Sequence, residues 1–207
     1  MNNKKRLLMS SKKILTIISF LLVFFSNIEK VYSIEPDVFV QSTVNRAAKT
    51  LSGNFTKEER IEKLKIIASE TVDINGIGYY TLGSYRKSIN DEQIRKYENL
   101  FEDYFLKSFS SRLSEYTNPK IEVQNKKILS KNYTIVNSLL VGTSERPEVK
   151  IDWRIYTKNP DNPLIRDLII EGLSLARTQK EEFASILNSN DGEINSLFKV
   201  LEEFIIK

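Results

Sequence analysis

The stretch Asp167–Phe183, DLIIEGLSLARTQKEEF, changes its period halfway along. Leu168, Ile169 and Ile170 form an apolar run closed by Glu171 and Gly172, while beyond Thr178 the apolar residues Phe183, Ile186 and Leu187 recur at helical spacing. The first pattern predicts a buried strand and the second an amphipathic helix. We expect the strand to cover Asp167–Leu175 and the helix to open at a capping box of Thr178 and Glu181, in which each side chain satisfies the other residue's backbone N–H. A strand that feeds straight into a helix puts sheet and helices around one core.

The strand pattern continues upstream. In PEVKIDWRIYT (147–157), Val149, Ile151, Trp153 and Ile155 fall on one face and Lys150, Asp152, Arg154 and Tyr156 on the other. With KIEVQNKKIL (120–129), NYTIVNSLLVGTS (132–144) and PLIRDLIIEGLSL (163–175), separated by SKN, ERP and KNPDN turns, this predicts four strands in an antiparallel meander. Such a sheet has a dry face and a wetter one.

Asn118-Pro119 marks the change of period on the N-terminal side. Before it, Asn90 caps a long helix from Asp91 to about Tyr116, whose stripe of Ile94, Tyr97, Leu100, Phe101, Tyr104, Phe105, Phe109, Leu113 and Tyr116 is wide and aromatic. That stripe serves as plain core or, in part, as the wall of a cavity. INGIGYYTLGSYRKS (74–88) predicts a short helix with Gly76, Gly78 and Gly83 permitting close packing. TKEER (56–60) is a capping box opening a helix with Ile61, Leu64, Ile67 and Ala68 buried. A further helix over Pro36–Leu51 carries Val40, Val44, Ala47, Ala48 and Leu51 and ends at SGN. At the other end of the chain, NDG (190–192) turns into a last helix with Ile194, Leu197, Phe198, Leu201 and Ile205. The fold expected is α+β, with helices packed on one face of a curved, mostly antiparallel four-stranded sheet.

Residues 1–33 predict a secretory signal peptide: basic MNNKKRLLMSSKK, the apolar ILTIISFLLVFF, then polar SNIEKVYS, with Val31 and Ser33 at the small-residue positions of a cleavage site. Its apolar core is short for a span of about 20 residues. One domain is expected over 34–207. Six of the 31 basic and one of the 27 acidic residues lie in the leader, so the remainder carries 25 against 26, a net charge of −1. The basic balance of the whole chain therefore gives no warrant for a nucleic-acid partner or an anionic surface. The chain has no Cys and no His, which excludes disulfides, Ser/His and Cys/His nucleophilic sites and the usual transition-metal ligands.

Carboxylates remain as candidate acids and bases. Asp152, between Lys150 and Arg154, reads as a solvated ion-pairing residue. Asp167 and Glu171 are the alternatives to weigh, because a carboxylate in an apolar strand facing a cavity is able to act as a base. No phosphate loop is present; GIGYYTLG lacks the preceding strand of a dinucleotide site, and NDGEI is a turn rather than a calcium loop. Arg86-Lys87 and Lys126-Lys127 read as solvated charges.

Three segments, LGSYRKSINDEQIRKYENLFEDYF (82–105), VKIDWRI (149–155) and DLIIEGLSLARTQKEEFASIL (167–187), resemble the MlaC family of toluene-tolerance substrate-binding proteins in the same order along the chain. The resemblance implies a non-enzymatic periplasmic phospholipid carrier of Gram-negative bacteria without cofactor or metal, holding acyl chains in a hydrophobic cavity between helices and sheet. It implies as partners phospholipid, an inner-membrane MCE-domain ABC transporter complex and an outer-membrane lipoprotein complex, with the carrier a monomer that binds no nucleic acid. The lipid-facing residues expected on that basis are Tyr97, Phe101, Tyr104 and Phe105 on the long helix, and Val149, Ile151, Trp153, Ile155, Leu168 and Ile170 on the last two strands. The face of Leu168 and Ile170 is open, since Ile169, Leu173 and Leu175 alternate with them. The competing readings are a cavity-containing enzyme using Glu171 or Asp167 and a periplasmic chaperone or adaptor with an apolar groove.

Overall fold

Helix starts in this chain are set by side chains that take up the first free amides. A computed structural model describes residues 33–144 and 146–207; the expected leader, apart from Ser33, lies outside the described residues. Helix α1 spans Pro36–Ser52 with proline in its first turn, where the missing N–H costs nothing. In α2, Lys57–Thr71, the Thr56 hydroxyl accepts from the Glu59 amide and the Glu59 carboxylate accepts from the Thr56 amide. Asp73 caps α3, Ile74–Leu82, and a 3-10 turn follows at Tyr85–Lys87. Asn90 and Gln93 form the same reciprocal pair at the head of α4, which runs Asp91–Leu113 and ends short of the expected Tyr116. There Ser110 and Ser114 turn their hydroxyls back onto Leu106 and Ser111 carbonyls, and Asn118 takes a left-handed backbone with φ 48°.

The sheet consists of β1, Ile121–Ser130; β2, Tyr133–Leu140; β3, Val149–Tyr156; β4, Leu164–Ile170; and β5, Leu173–Ser174, in that order and antiparallel throughout. The strand expected over Asp167–Leu175 is thus two strands. Glu171 and Gly172 both have positive φ, 49° and 83°, and fold the chain back so that Ile170 pairs with Leu173. Positive φ at both central residues is the hairpin turn whose twist matches that of the strands it joins. The helix that follows, α5, covers Leu175–Asn188 and is capped by Ser174, whose hydroxyl accepts from the Arg177 amide; the expected box at Thr178 and Glu181 does not form. The reason is Asp167. Its carboxylate accepts from the Ser174 hydroxyl at 2.7 Å and the Ala176 amide at 3.0 Å, fixing the first turn earlier than the motif suggests. The Thr178 hydroxyl donates instead to the Ser174 carbonyl. Asp191 and Gly192, with φ 54° and 79°, turn the chain into α6, Ile194–Ile206.

Residues Ile34–Lys207 cluster as one unit. The helix backbones meet the sheet chiefly at its flanks, α1 against β1 and β2, α3 and α5 against β4, while α4 rests on α2, α3 and α6. A bulge opposite Arg154 and Ile155 leaves Arg166 as the extra residue of β4. Arg166 stacks on Tyr156, donates to the Tyr133 hydroxyl and pairs with Asp73, which joins the head of α3 to the outer side of the sheet.

Candidate functional site

Register decides which side chains share a face. Ile151 lies opposite Ser138 and Ile170, Trp153 opposite Val136 and Leu168, Ile155 opposite Thr134 and Ile165, and Val149 opposite Leu140. Leu168 and Ile170 therefore stand on the same face as Val149, Ile151, Trp153 and Ile155, the face toward the helices. β1 extends it, since Ile121 pairs with Leu140 and Val123 with Ser138. A polar edge beside Ile151 is closed internally: the Trp153 indole N–H donates to the Ser138 hydroxyl at 2.8 Å, and that hydroxyl donates to the Ile151 carbonyl at 3.0 Å. What the tryptophan offers inward is ring.

The aromatic series of α4 divides in two. Tyr97 and Phe101 are sealed among helices, each meeting Phe183 of α5 edge-on, with Gly78 of α3 so close that a Cβ there would lie 2.9 Å from the Phe101 ring. Burial pushes the Tyr97 phenol far above its ordinary pKa, opposed in part by the hydrogen bond it shares with Thr81. Tyr104 is half-buried, its ring 4.8 Å from Phe204 of α6 and its hydroxyl donating to Gln179; burial raises its pKa as well. Phe105 stacks on Phe109 at 5.6 Å, one turn closer to the end of the helix.

Three elements then show the same gradient. Along α4, exposure rises from 1% at Tyr97 and 2% at Phe101 to half-buried Phe105 and Phe109. Along β3 it rises from none at Ile155 through 8% at Trp153 and Ile151 to half-buried Val149. Along β4 it rises from 5% at Ile165 to half-buried Leu168 and Ile170. The gradients run in the same direction in space, because α4 ends next to the start of β1, whose Ile121 neighbours Leu140 and, through it, Val149. Tyr97 and Ile155 thus mark the drier end of these three series, and Phe109, Val149 and Ile170 the more exposed one. Phe109, Ile121 and Val123 belong to this wall beside the residues expected from the sequence. Phe109 is visible in the helical stripe, and Ile121 and Val123 in the alternation of IEVQ.

The open end is framed by the turn after α4, the loop joining β2 to β3, and the β4–β5 hairpin. Arg146 of that loop lies over the Tyr116 ring, 5.3 Å from its centroid. The candidate carboxylates do other work. Glu171 is exposed at the hairpin turn, not set in a strand wall, and accepts from the Lys150 amide. Asp167 is 3% exposed and is occupied by Ser174, Ala176 and, at 3.6 Å, Arg154. Asp152 is half-buried and accepts from Asn137 at 2.7 Å rather than standing free in solvent. Lys126 pairs with Glu35 and Asp37, whereas Arg86 and Lys87 are exposed. The Lys126 hydrogen bond holds the Asp37 carboxyl below its ordinary value, and both acids hold Lys126 above its own. Among the described residues no three acidic side chains converge on a metal-sized site, and no helix is long and apolar enough to cross a membrane.

The family model for the MlaC protein matches residues 40–203. The intermembrane phospholipid transport system binding protein MlaC of Haemophilus influenzae is 25% identical over 190 residues, which cover 87% of this chain and 88% of that one. Among solved structures, the phospholipid-binding protein of Ralstonia solanacearum, determined in complex with a phospholipid, superposes with a TM-score of 0.71 at 18% identity, covering 84% of this chain and 98% of its own. The last likeness establishes a shared fold.

Proposed function

This chain belongs to the MlaC family, and from that premise we propose that it is a carrier of diacyl phospholipid, working in the periplasm as a monomer between an outer-membrane lipoprotein complex and an inner-membrane MCE-domain ABC transporter complex. The observation that carries the reading is the shared gradient of burial on α4, β3 and β4. Apolar side chains follow one another along all three elements, and their exposure grows toward the end framed by the β2–β3 loop and the β4–β5 hairpin. Two acyl chains hold roughly 30 methylenes, whose exposure to water costs on the order of 25 kcal/mol. A carrier has to shield them, yet transfer from a bilayer into an equally apolar cavity is close to neutral, so the cargo is released as readily as it is taken. The headgroup stays at the mouth, and no catalytic residue is required.

Organic extraction and mass spectrometry of the protein, purified from the periplasm without detergent, tests the reading. Stoichiometric diacyl phospholipid is expected. Replacing Ile151 or Ile170 with Asp places a charge on the apolar wall and is expected to abolish lipid recovery while export continues. Unaltered loading in both variants removes these residues from the lipid wall, and a well-folded, lipid-free native protein removes the carrier function itself.

A further inference from the structure

The loop that frames the mouth is built to hold one cation. Gly142 allows the chain to close over it, since a Cβ there would sit 2.8 Å from the Glu148 nitrogen and 3.2 Å from the Arg146 carbonyl. The Thr143 amide donates to the Arg146 carbonyl at 2.8 Å, and the Val141 amide donates to the Lys120 carbonyl, tying the loop to the head of β1. Arg146 is thereby set over Tyr116, which follows the last turn of α4. Its guanidinium enters no ion pair among the described residues, and its Nε is buried without an acceptor among them. An aromatic ring under a guanidinium engages its flat face and leaves the in-plane N–H groups of its two terminal nitrogens for the paired oxygens of a phosphate.

Building on the carrier reading, we propose that Arg146, held over Tyr116, is the residue that binds the phosphodiester of the lipid headgroup at the open end of the cavity. The walls described above contact acyl chains alone and do not distinguish a phospholipid from a diacylglycerol with the same chains. Arg146 supplies that distinction.

The test offers the native protein and Arg146→Gln vesicles of dioleoylphosphatidylglycerol doped with dioleoylglycerol, then measures both lipids in the recovered protein. Native protein is expected to enrich phospholipid over diacylglycerol by about tenfold relative to Arg146→Gln, the gain from one charge-assisted contact. Arg146→Lys is expected to fall between them, and diacylglycerol uptake to be equal in all three, which also reports that the variants fold. Equal enrichment in native protein and Arg146→Gln, with both lipids taken up, overturns the phosphate contact and leaves the carrier reading standing. Uptake of neither lipid by native protein overturns the carrier reading and this contact with it. A third arm adds inorganic phosphate: a rise in Tm for native protein but not Arg146→Gln, without any headgroup enrichment, assigns the residue to free phosphate and overturns the proposal.

Discussion

Ser138 shows how much one hydroxyl does in this wall. It accepts from the Trp153 indole and donates to the Ile151 carbonyl, so Ser138→Ala strands an N–H on an apolar surface. We expect a loss of about 1–3 kcal/mol in urea unfolding. Trp153 is the sole tryptophan, so its emission reports the site directly and is expected to shift in the same variant. A second prediction for single side chains concerns acid. Asp37 has a folded pKa below its unfolded one, so its contribution is complete above the ordinary carboxyl value of 3.8 and disappears as pH falls through the lower folded value. Lys126, raised, contributes in full below its ordinary 10.5 and loses that only in alkali. Lys126→Met is therefore expected to flatten the acid limb of Tm against pH, modestly because the pair is partly solvated; an unaltered limb shows that this contact adds nothing. The alternation of Val149, Ile151, Trp153 and Ile155 is legible in the sequence, since strand geometry alone fixes which residues share a face. The position of Glu171 is not, because its environment depends on a turn in the middle of an apolar run.

That turn also decides how the elements divide. LII and LSL flank Glu171-Gly172 so closely that hydrophobicity reads as one strand, and the pair lacks the Asn or Asp that usually announces such a hairpin. Gly172 has φ 83° and only open space where a Cβ would point, so Gly172→Ala is expected to cost about 1 kcal/mol from backbone conformation alone, read as a lowered Tm with no change in packing. The start of α5 departs from its motif for a different reason. Both Ser174 and Thr178 are chemically able to cap, and the choice between them is made by Asp167, which lies outside the local window of either motif. Ser174→Ala is accordingly expected to cost about 1–2 kcal/mol and Thr178→Ala a few tenths, compared by denaturant midpoints. Where no distant group competes, as at Thr56 and Asn90, the local motif alone locates the helix start.

Over the whole molecule, the succession of helical and strand periods is enough for the α+β class and its antiparallel sheet, because each period follows from local geometry. The gradient from closed to open end is out of reach of such reading: it requires the registers of the paired strands and the direction of α4 across them, none of which is encoded within a short window. Helix backbones hold to the flanks of the sheet and leave the middle strand to be reached by side chains. On the proposed carrier reading, such an arrangement encloses volume that belongs to the molecule only while it is folded. Unfolding the protein in its emptied form surrenders that volume to water, and hydrostatic pressure favours whichever state occupies less of it. Stripped of lipid, the protein is expected to unfold at markedly lower pressure than the loaded form, with Trp153 emission marking both transitions.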